Sequence, residues 1–420
     1  MKPLPDPYPI EPLTKPPNCT ITVPGSKSIT NRALILGALD KEKIQLRSAL
    51  WADDTQVMVD SLNRLGIKTV ATQPDENSNC DIEVEGQAGR IPVPKADLYV
   101  GNAGTAARFL TALVCLGRGE YTIRGDKRMH ERPMKDLFDT LTQLGAKFDF
   151  IESQDRLPVK VRANGLTSKG LADRNLNLDP SKSTQFASAL YMIGPYIQDG
   201  FHLELPTEYK VDPCGYIGMT QKVIHDFPQA IHKEKEGVWL YEIEPDFSSA
   251  SYFMASEFVT CGDMRRRVKI DKWKEPPDSW VLQPDSHFPA YLPPPARVSR
   301  AEDLGDSVMT LAICALFGKQ PMQLVNASRL RLQETDRIKA MVTELQRVGA
   351  KAEEHEDGFT VWPAKPDQLH GADIETYDDH RMAMCFSVLG LKVPGIRIKN
   401  PQCVSKTFPN FFEKLEQLRQ

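Results

Sequence analysis

The chain has 420 residues, 41% of them hydrophobic, enough for two domains or one large repeated architecture with sizeable cores. Lys and Arg number 52 against 56 Asp and Glu, a formal net charge of −4. That balance excludes a general nucleic-acid binder but leaves room for local basic clusters that hold small anions. The cysteines are scattered, with no CxxC pair and no zinc-type spacing to histidine. No metal site is therefore expected, and a reducing cytoplasm is. The proline-rich start "MKPLPDPYPIEPLTKPPN" reads as neither a secretory nor a transit peptide, and no apolar run is long enough for a bilayer, so no membrane partner is expected.

In chain order, "PGSKSITNRALILGAL" comes first. A Pro-Gly turn leads into Ser26, Lys27, Ser28, Asn31 and Arg32 on the opening turns of an otherwise apolar helix. "TQVMVDSLNRLG" follows, with Met58, Val59, Leu62 and Leu65 ahead of Gly66. "GNAGTAARFLTALVCLG" sets Asn102, Gly104 and Thr105 before an apolar helix over 106–116, with Arg108 one turn on. "RMHERPMKDLF" carries Arg128, His130 and Arg132 ahead of a proline suited to a first helical turn. "PMKDLFDTLTQLG" repeats the earlier spacing up to Gly145, and "AKFDFIESQDRLPVKVRA" reads as a strand, a polar turn and a second strand. "DPSKSTQFASAL" places Ser183, Thr184 and Gln185 before a helix over 186–193. "QKVIHDFPQAIHKEKEGVWLYEIEP" is a weaker helix-plus-hairpin, and the Pro- and Trp-rich stretch from about 265 to 300 reads as irregular loop.

Beyond it, a helix is expected over 308–317. "RLRLQETDRI" carries Arg329, Arg331, Glu334, Asp336 and Arg337, and "RIKAMVTELQRVG" runs to Gly349 before the hairpin "AKAEEHEDGFTVWPA". "YDDHRMAMCFSVLG" places Asp378, Asp379, His380 and Arg381 before an apolar helix, and "VSKTFPNFFEKL" places Lys406 before the last one.

Counted back from Gly66, Gly145 and Gly349, apolar residues fall at −1, −4, −7 and −8 each time, one face of an amphipathic helix. The glycine stands where a left-handed residue ends it. A unit of helix, glycine stop and hairpin therefore recurs, which points to an α/β array. No Walker A and no G-x-G-x-x-G fingerprint is present.

Taken singly, each polar cluster at a helix start has an ordinary explanation: a cap, a solvated basic loop, a hydrogen-bonded structural His380. Capping predicts acids, Ser and Asn there. It does not predict Lys27, Arg32, Arg132, Arg337, Arg381 and Lys406, because cations oppose the N-terminal dipole. Their recurrence implies a polyanionic ligand shared by cations and helix ends.

At these residues the chain resembles the EPSP synthase (3-phosphoshikimate 1-carboxyvinyltransferase) family. The matching motifs run in the family's order: "PGSKSITNRALILGAL", "GNAGTAARFLTAL", "RMHERPMKDL", "STQFASALYM", "EPDFSSASYFMA", "LQETDRIKAMVTELQRVGA", "YDDHRMAMCFSVLGL" and "CVSKTFPNFFEKL". They cover the chain from about residue 20 to its end. The resemblance implies a two-domain inside-out α/β barrel of repeated βαβαββ-type units, one C-terminal unit being degenerate. Residues 1–24 plus 247–420 would form one domain, 25–246 the other, with the active site in the cleft between them. The implied reaction moves the enolpyruvyl group of phosphoenolpyruvate to the 5-hydroxyl of shikimate 3-phosphate and releases phosphate, in a cytoplasmic monomer with no cofactor.

Carried over by position, Lys27, Ser28, Arg32, Ser183, Thr184, Gln185, Tyr216, Asp306 and Gln333 face shikimate 3-phosphate. Lys27, Asn102, Gly104, Arg132, Gln185, Arg337, Arg381 and Lys406 face phosphoenolpyruvate. Asp306 is the expected base for the hydroxyl, and Glu334 and Lys406 are expected to protonate the methylene carbon, with Lys27 among the catalytic set.

The departures gather on the acceptor side. Gln333 stands where the family has Lys, Arg329 where it has Asn, Thr184 for a Ser, and Phe109 where many members have Pro. "EYKVDPCGYIG" replaces the usual Ser-Lys-Pro-Tyr stretch, with Tyr216 matching its Tyr. Two further readings therefore stay open: an enolpyruvyl transferase with another acceptor, such as a UDP-sugar, and a non-catalytic ligand-binding relative. Against the UDP-sugar, the loop 118–133 has no Cys.

Overall fold

The computed structural model describes residues 3–210, 215–230, 232–235, 238–273, 283–365 and 367–420. The chain divides into two compact units, one of residues 1–24, 76–78 and 245–420, the other of 25–75 and 79–244.

In the second of these, six helices carry most of the packing: α1 (Lys27–Leu39), α2 (Asp53–Arg64), α3 (Gly104–Val114), α4 (Lys135–Gln143), α5 (Gln185–Ile193) and α6 (Tyr216–Ala230). α1 packs on α2, α3, α5 and α6, while α3 packs on α5 and α5 on α6. Every residue of α3 is buried, Arg108 among them, so all sides of that helix meet protein. α2 and α4 keep the one-sided pattern, burying Met58, Val59 and Leu62, and Leu137, Phe138 and Leu141.

The strands repeat one topology. Lys95–Tyr99 runs parallel to Arg118–Arg124, which pairs antiparallel with Val159–Asn164, which closes a hairpin with Lys147–Phe150. With α3 and α4 in the two crossings, the chain order is βαβαββ. The same sheet recurs with Val238–Glu242 parallel to Lys43–Leu50, then Asn79–Glu85 and Thr69–Ala71 antiparallel. Its first strand comes from the weaker hairpin His232–Lys235 and Val238–Glu242, whose residues 231, 236 and 237 lie outside the described set.

The other unit is built on α7 (Phe247–Cys261), α8 (Val308–Ala315), α9 (Arg337–Arg347), α10 (His380–Gly390) and α11 (Phe411–Glu416). Here Arg297–Ser299 runs parallel to Met322–Val325, which is antiparallel to Gly358–Val361 and its hairpin partner Ala352–His355. With α8 and α9 between them, this is βαβαββ again. α7, α8 and α10 pack pairwise, and Phe253, Phe408 and Phe411 form an aromatic knot beside them.

One expectation from the sequence is corrected. The stretch 265–300 is not loop throughout: Val268–Ile270 pairs parallel with Cys19–Ile21, and Pro284–Tyr291 forms a 3-10 helix packed on α7. Residues 274–282 lie outside the described set. The unit here is a degenerate copy. The strand Cys19–Ile21, α7 and the strand Val268–Ile270 keep its βαβ front half, and the proline-bearing 3-10 helix stands where other units carry a second helix.

Gly66, Gly145 and Gly349 end α2, α4 and α9 with φ of +80°, +102° and +86°, as the spacing predicts. Their surroundings differ. A Cβ on Gly145 meets nothing within 4 Å, whereas one on Gly349 would lie 2.4 Å from the Gln368 carbonyl oxygen. Gly145→Ala should therefore cost only the left-handed penalty, about 1 kcal/mol, and Gly349→Ala clearly more. Chemical denaturation of both variants measures the difference; equal losses would refute the steric part.

Candidate active site

In the unit of residues 245–420, α9 and α10 begin with cations that helix dipoles disfavour, and carboxylates explain how. Asp379 caps α10 by accepting from the Arg381 amide at 2.9 Å. Its carboxylate also takes a fork from Arg337, the first residue of α9, with Nε–Oδ2 at 2.7 Å and Nη2–Oδ1 at 3.1 Å. Asp336 caps α9 by accepting from the Lys339 amide at 3.1 Å. Each acid answers the orphan N–H groups, and the acid–arginine fork ties two helix starts together.

Arg337 Nη2 donates to Glu334 Oε2 at 2.9 Å, and its Nη1 donates to the Gln333 side-chain oxygen. Glu334 Oε1 lies 3.9 Å from Lys406 Nζ. Asp306, just before α8, takes Arg300 Nη2 at 2.7 Å on Oδ1 and Arg381 Nη2 at 2.9 Å on Oδ2, with Arg337 Nη1 at 3.8 Å. Arg381 Nη1 also donates to the buried Tyr252 hydroxyl at 3.2 Å. Burial pushes the Asp306 carboxyl up, but Arg381, Arg300 and Arg337 outweigh it and hold it well below the usual carboxylate range. Burial alone would lower Arg337, yet Asp379, Glu334 and Asp306 raise it, so it stays charged.

Asp306, Glu334, Gln333, Arg337, Arg381 and Lys406, all expected from the sequence, thus form one cluster. Lys406 ends the 3-10 turn Pro401–Lys406, ahead of the last helix. A further cation on Asp306 is Arg300, and Arg329 sits on the 3-10 turn Ser328–Leu332. Arg300 lies at the end of a strand, away from any helix start, so helix-start logic could not find it. Tyr252 hides in the same way, inside an apolar helical run.

In the unit of residues 25–244 the helix starts are arranged differently. Neither Ser26 before α1, Ala103 before α3 nor Thr184 before α5 makes a side-chain cap bond. Lys27, first in α1, pairs with the buried Asp54 at 3.2 Å. Arg32 donates Nε to Thr220 Oγ1 at 2.8 Å, Nη1 to the Ser28 carbonyl at 2.8 Å and Nη2 to Ser188 Oγ at 3.2 Å and the Tyr216 carbonyl at 3.4 Å. Phe109 lies under its guanidinium, 5.3 Å from ring centroid to Cζ, which gives the residue in place of the family proline a physical role. All these partners are neutral, and among the described residues no carboxylate pairs with Arg32. Burial lowers its pKa to about 9.

A second group surrounds the start of α3. Arg132 Nη1 donates to the Asn102 carbonyl and side-chain oxygens, both at 2.9 Å. Arg108 donates to Gln185 Oε1 at 3.3 Å and to the Pro133 carbonyl at 3.0 Å, and Gln185 Nε2 donates to Thr105 Oγ1 at 3.3 Å. Ser183 Oγ accepts from the Gln185 amide at 3.3 Å. A Cβ on Gly104 would stand 2.3 Å from Arg108 Nη1 and 2.7 Å from Arg132 Nη2, so glycine is what lets both guanidiniums close on this turn. Lys27, Ser28, Arg32 and Tyr216 meet in one place, and Asn102, Gly104, Arg132, Ser183, Thr184 and Gln185 around the adjoining starts of α3 and α5.

Buried arginines gathered at helix starts, with carboxylates set among them, are the chemistry of an anion-handling protein. The model for EPSP synthase (3-phosphoshikimate 1-carboxyvinyltransferase) matches residues 13–277 and 291–415. The chain belongs to this family. It is 38% identical over 429 residues to the 3-phosphoshikimate 1-carboxyvinyltransferase of Nostoc punctiforme, covering 97% of each chain. It is 37% identical over 428 residues to that of Proteus mirabilis, covering 94% of this chain and 95% of the other. In fold it matches EPSP synthase from Acinetobacter baumannii with TM-score 0.70 at 21% identity, over 98% and 97% of the two chains. It also matches the enolpyruvyl transferase NikO from Streptomyces tendae with TM-score 0.67 at 14% identity, over 97% and 96%. The fold is the two-domain α/β fold of these neighbours.

The Arg337–Asp379 fork is buried, with side-chain exposures of 2% and 0%. Asp379→Ala removes the fork and the α10 cap together, leaving Arg337 only Glu334 as a close carboxylate, and should destabilise the protein by about 3–5 kcal/mol. Asp373→Ala, which opens the exposed Arg397 pair, should cost at most about 1 kcal/mol. Urea denaturation of the two variants compares them, and similar losses would contradict the assignment.

Proposed function

We propose that the protein transfers the enolpyruvyl group of phosphoenolpyruvate to the 5-hydroxyl of shikimate 3-phosphate, releasing phosphate, and that the residue sets of both units serve this one reaction. The observation that carries the reading is the Asp306 carboxylate held by Arg300 and Arg381 beside the Glu334–Lys406 pair. Both substrates are multiply charged anions, so bringing them together needs the cations that these sets supply. Each charge-assisted hydrogen bond contributes roughly 1.5–3 kcal/mol.

The hydroxyl oxygen bonds to the carbon that bears the phosphate ester, and its proton goes to Asp306. The methylene carbon takes a proton from Glu334 or Lys406, then returns it as the carbon–oxygen bond to phosphate breaks, which leaves an enol ether. Arginine charge keeps Asp306 a weak base in the free protein. Substrate anions on Arg337 and Arg381 offset that charge and raise its basicity, so the base is switched on by the ligand it serves. In the other unit, Lys27, Ser28, Arg32, Ser183, Thr184, Gln185 and Tyr216 are assigned to the acceptor. Asn102, Gly104 and Arg132 are assigned, with Lys27 and Gln185, to phosphoenolpyruvate. Among the described cysteines all are free thiols, which supports a reducing compartment.

One observation favours a second reading, another phosphorylated acceptor. The Gln333 side chain is neutral and engaged by Arg337 where the family lysine would bring charge. Phosphate release assayed with phosphoenolpyruvate and shikimate 3-phosphate decides between them: turnover supports the first reading, and turnover only with another acceptor the second. Asp306→Ala should abolish turnover while binding of both ligands by calorimetry persists; a near-normal rate would remove Asp306 as the base. Gln333→Lys should tighten shikimate 3-phosphate binding, by about tenfold for one added charge-assisted bond. Unchanged or weaker binding would reject the charge deficit.

A further inference from the structure

Asp285 lies in the 3-10 helix that replaces the second helix of the shortened unit, and it is 1% exposed. An isolated buried carboxylate is costly, so its partners say what it is for. Oδ1 accepts from the Gly305 amide at 2.8 Å, the Ser307 amide at 3.3 Å and the Ser307 hydroxyl at 2.6 Å. Oδ2 accepts from the Ser248 hydroxyl in the first turn of α7. Gln283, two residues earlier, secures the segment to the same helix start, taking the Phe247 amide at 3.0 Å and donating to the Pro245 carbonyl at 2.7 Å.

One carboxylate oxygen therefore grips the residues immediately before and after Asp306. With both neighbouring peptide N–H groups fixed, the backbone at Asp306 has little freedom, and its side chain leaves in one direction. A general base must reach its proton within hydrogen-bond distance, and a misplacement of 1 Å is enough to lose most of the rate. The Asp285 carboxyl is raised, burial pushing it up with help from the Asp306 charge against the opposing bonds from Ser248 and Ser307. The two amides and two hydroxyls aimed at it are donors, so it acts as an acceptor.

We propose that Asp285 is a positioning residue for the Asp306 base, supplied by the segment that stands in for the missing helix. The inference rests on the reading of Asp306 as the base. A purely structural role would link α7 to the start of α8 and affect stability without singling out the chemical step.

The test is steady-state kinetics of Asp285→Ala and Asp285→Asn with phosphoenolpyruvate and shikimate 3-phosphate, beside hydrogen exchange of the peptide spanning 303–309. Asp285→Ala should lower kcat by about 10- to 100-fold, with both KM values within about threefold and faster exchange at 305–307. Asp285→Asn keeps an acceptor oxygen and should restore kcat to within about fivefold of wild type. A folded Asp285→Ala with kcat within about twofold of wild type overturns the proposal, as does a rise in KM at unchanged kcat. If Asp285→Ala does not fold, Ser307→Ala takes its place. It should lower kcat severalfold at constant KM, and an unchanged kcat overturns the proposal. Absence of turnover in the wild type refutes the reading of the reaction and this inference with it, whereas wild-type turnover with an indifferent Asp285→Ala refutes this inference alone.

Discussion

Everything at the candidate site depends on placing guanidinium groups where helix dipoles oppose them. Among residues 245–420 the problem is solved internally. Asp379 caps one helix and forks to the arginine that begins another, so the cap and the counter-charge are the same carboxylate. The arrangement is stiff, buried and nearly neutral in sum, which fixes the arginines without exhausting their donors. Asp306 then sits in the field left over, and that field sets its basicity.

Among residues 25–244 the opposite solution is used. The helix starts at Ser26, Ala103 and Thr184 lack side-chain caps, and Arg32 is surrounded by hydroxyls, carbonyls and a ring rather than by acids. Lys27 is answered by Asp54, but Arg32 meets no carboxylate among the described residues, so its charge leaves a positive potential there. The two units therefore hold their buried cations in different ways, one with internal ion pairs and the other largely with neutral partners.

Much of this was legible in the sequence because it is local and periodic. The glycine stops at 66, 145 and 349 follow from the apolar spacing before them, and the cations at Lys27, Arg337 and Arg381 stand out because capping rules predict their absence. What was not legible depends on contacts that only the folded chain makes. Arg300, though only six residues before Asp306, is an ordinary arginine at a strand end until the turn between them closes. Asp379 was visible as an acid near a helix start, but its fork to Arg337 spans 42 residues. The Pro-rich stretch looked structureless because prolines forbid an α-helix. They do not forbid a 3-10 turn, and side-chain bonds of Gln283 and Asp285 anchor it beside its own backbone bonds.

The neutral setting of Arg32 has a consequence for how binding responds to the medium. Mobile ions screen charges that face water and reach a buried guanidinium poorly, since the Debye length of about 8 Å at physiological ionic strength applies to the solvent side of the surface. Arg32 is 2% exposed and already stripped of water by folding. An anion held by such a guanidinium would lose little affinity as salt rises, whereas one held by surface lysines would be released.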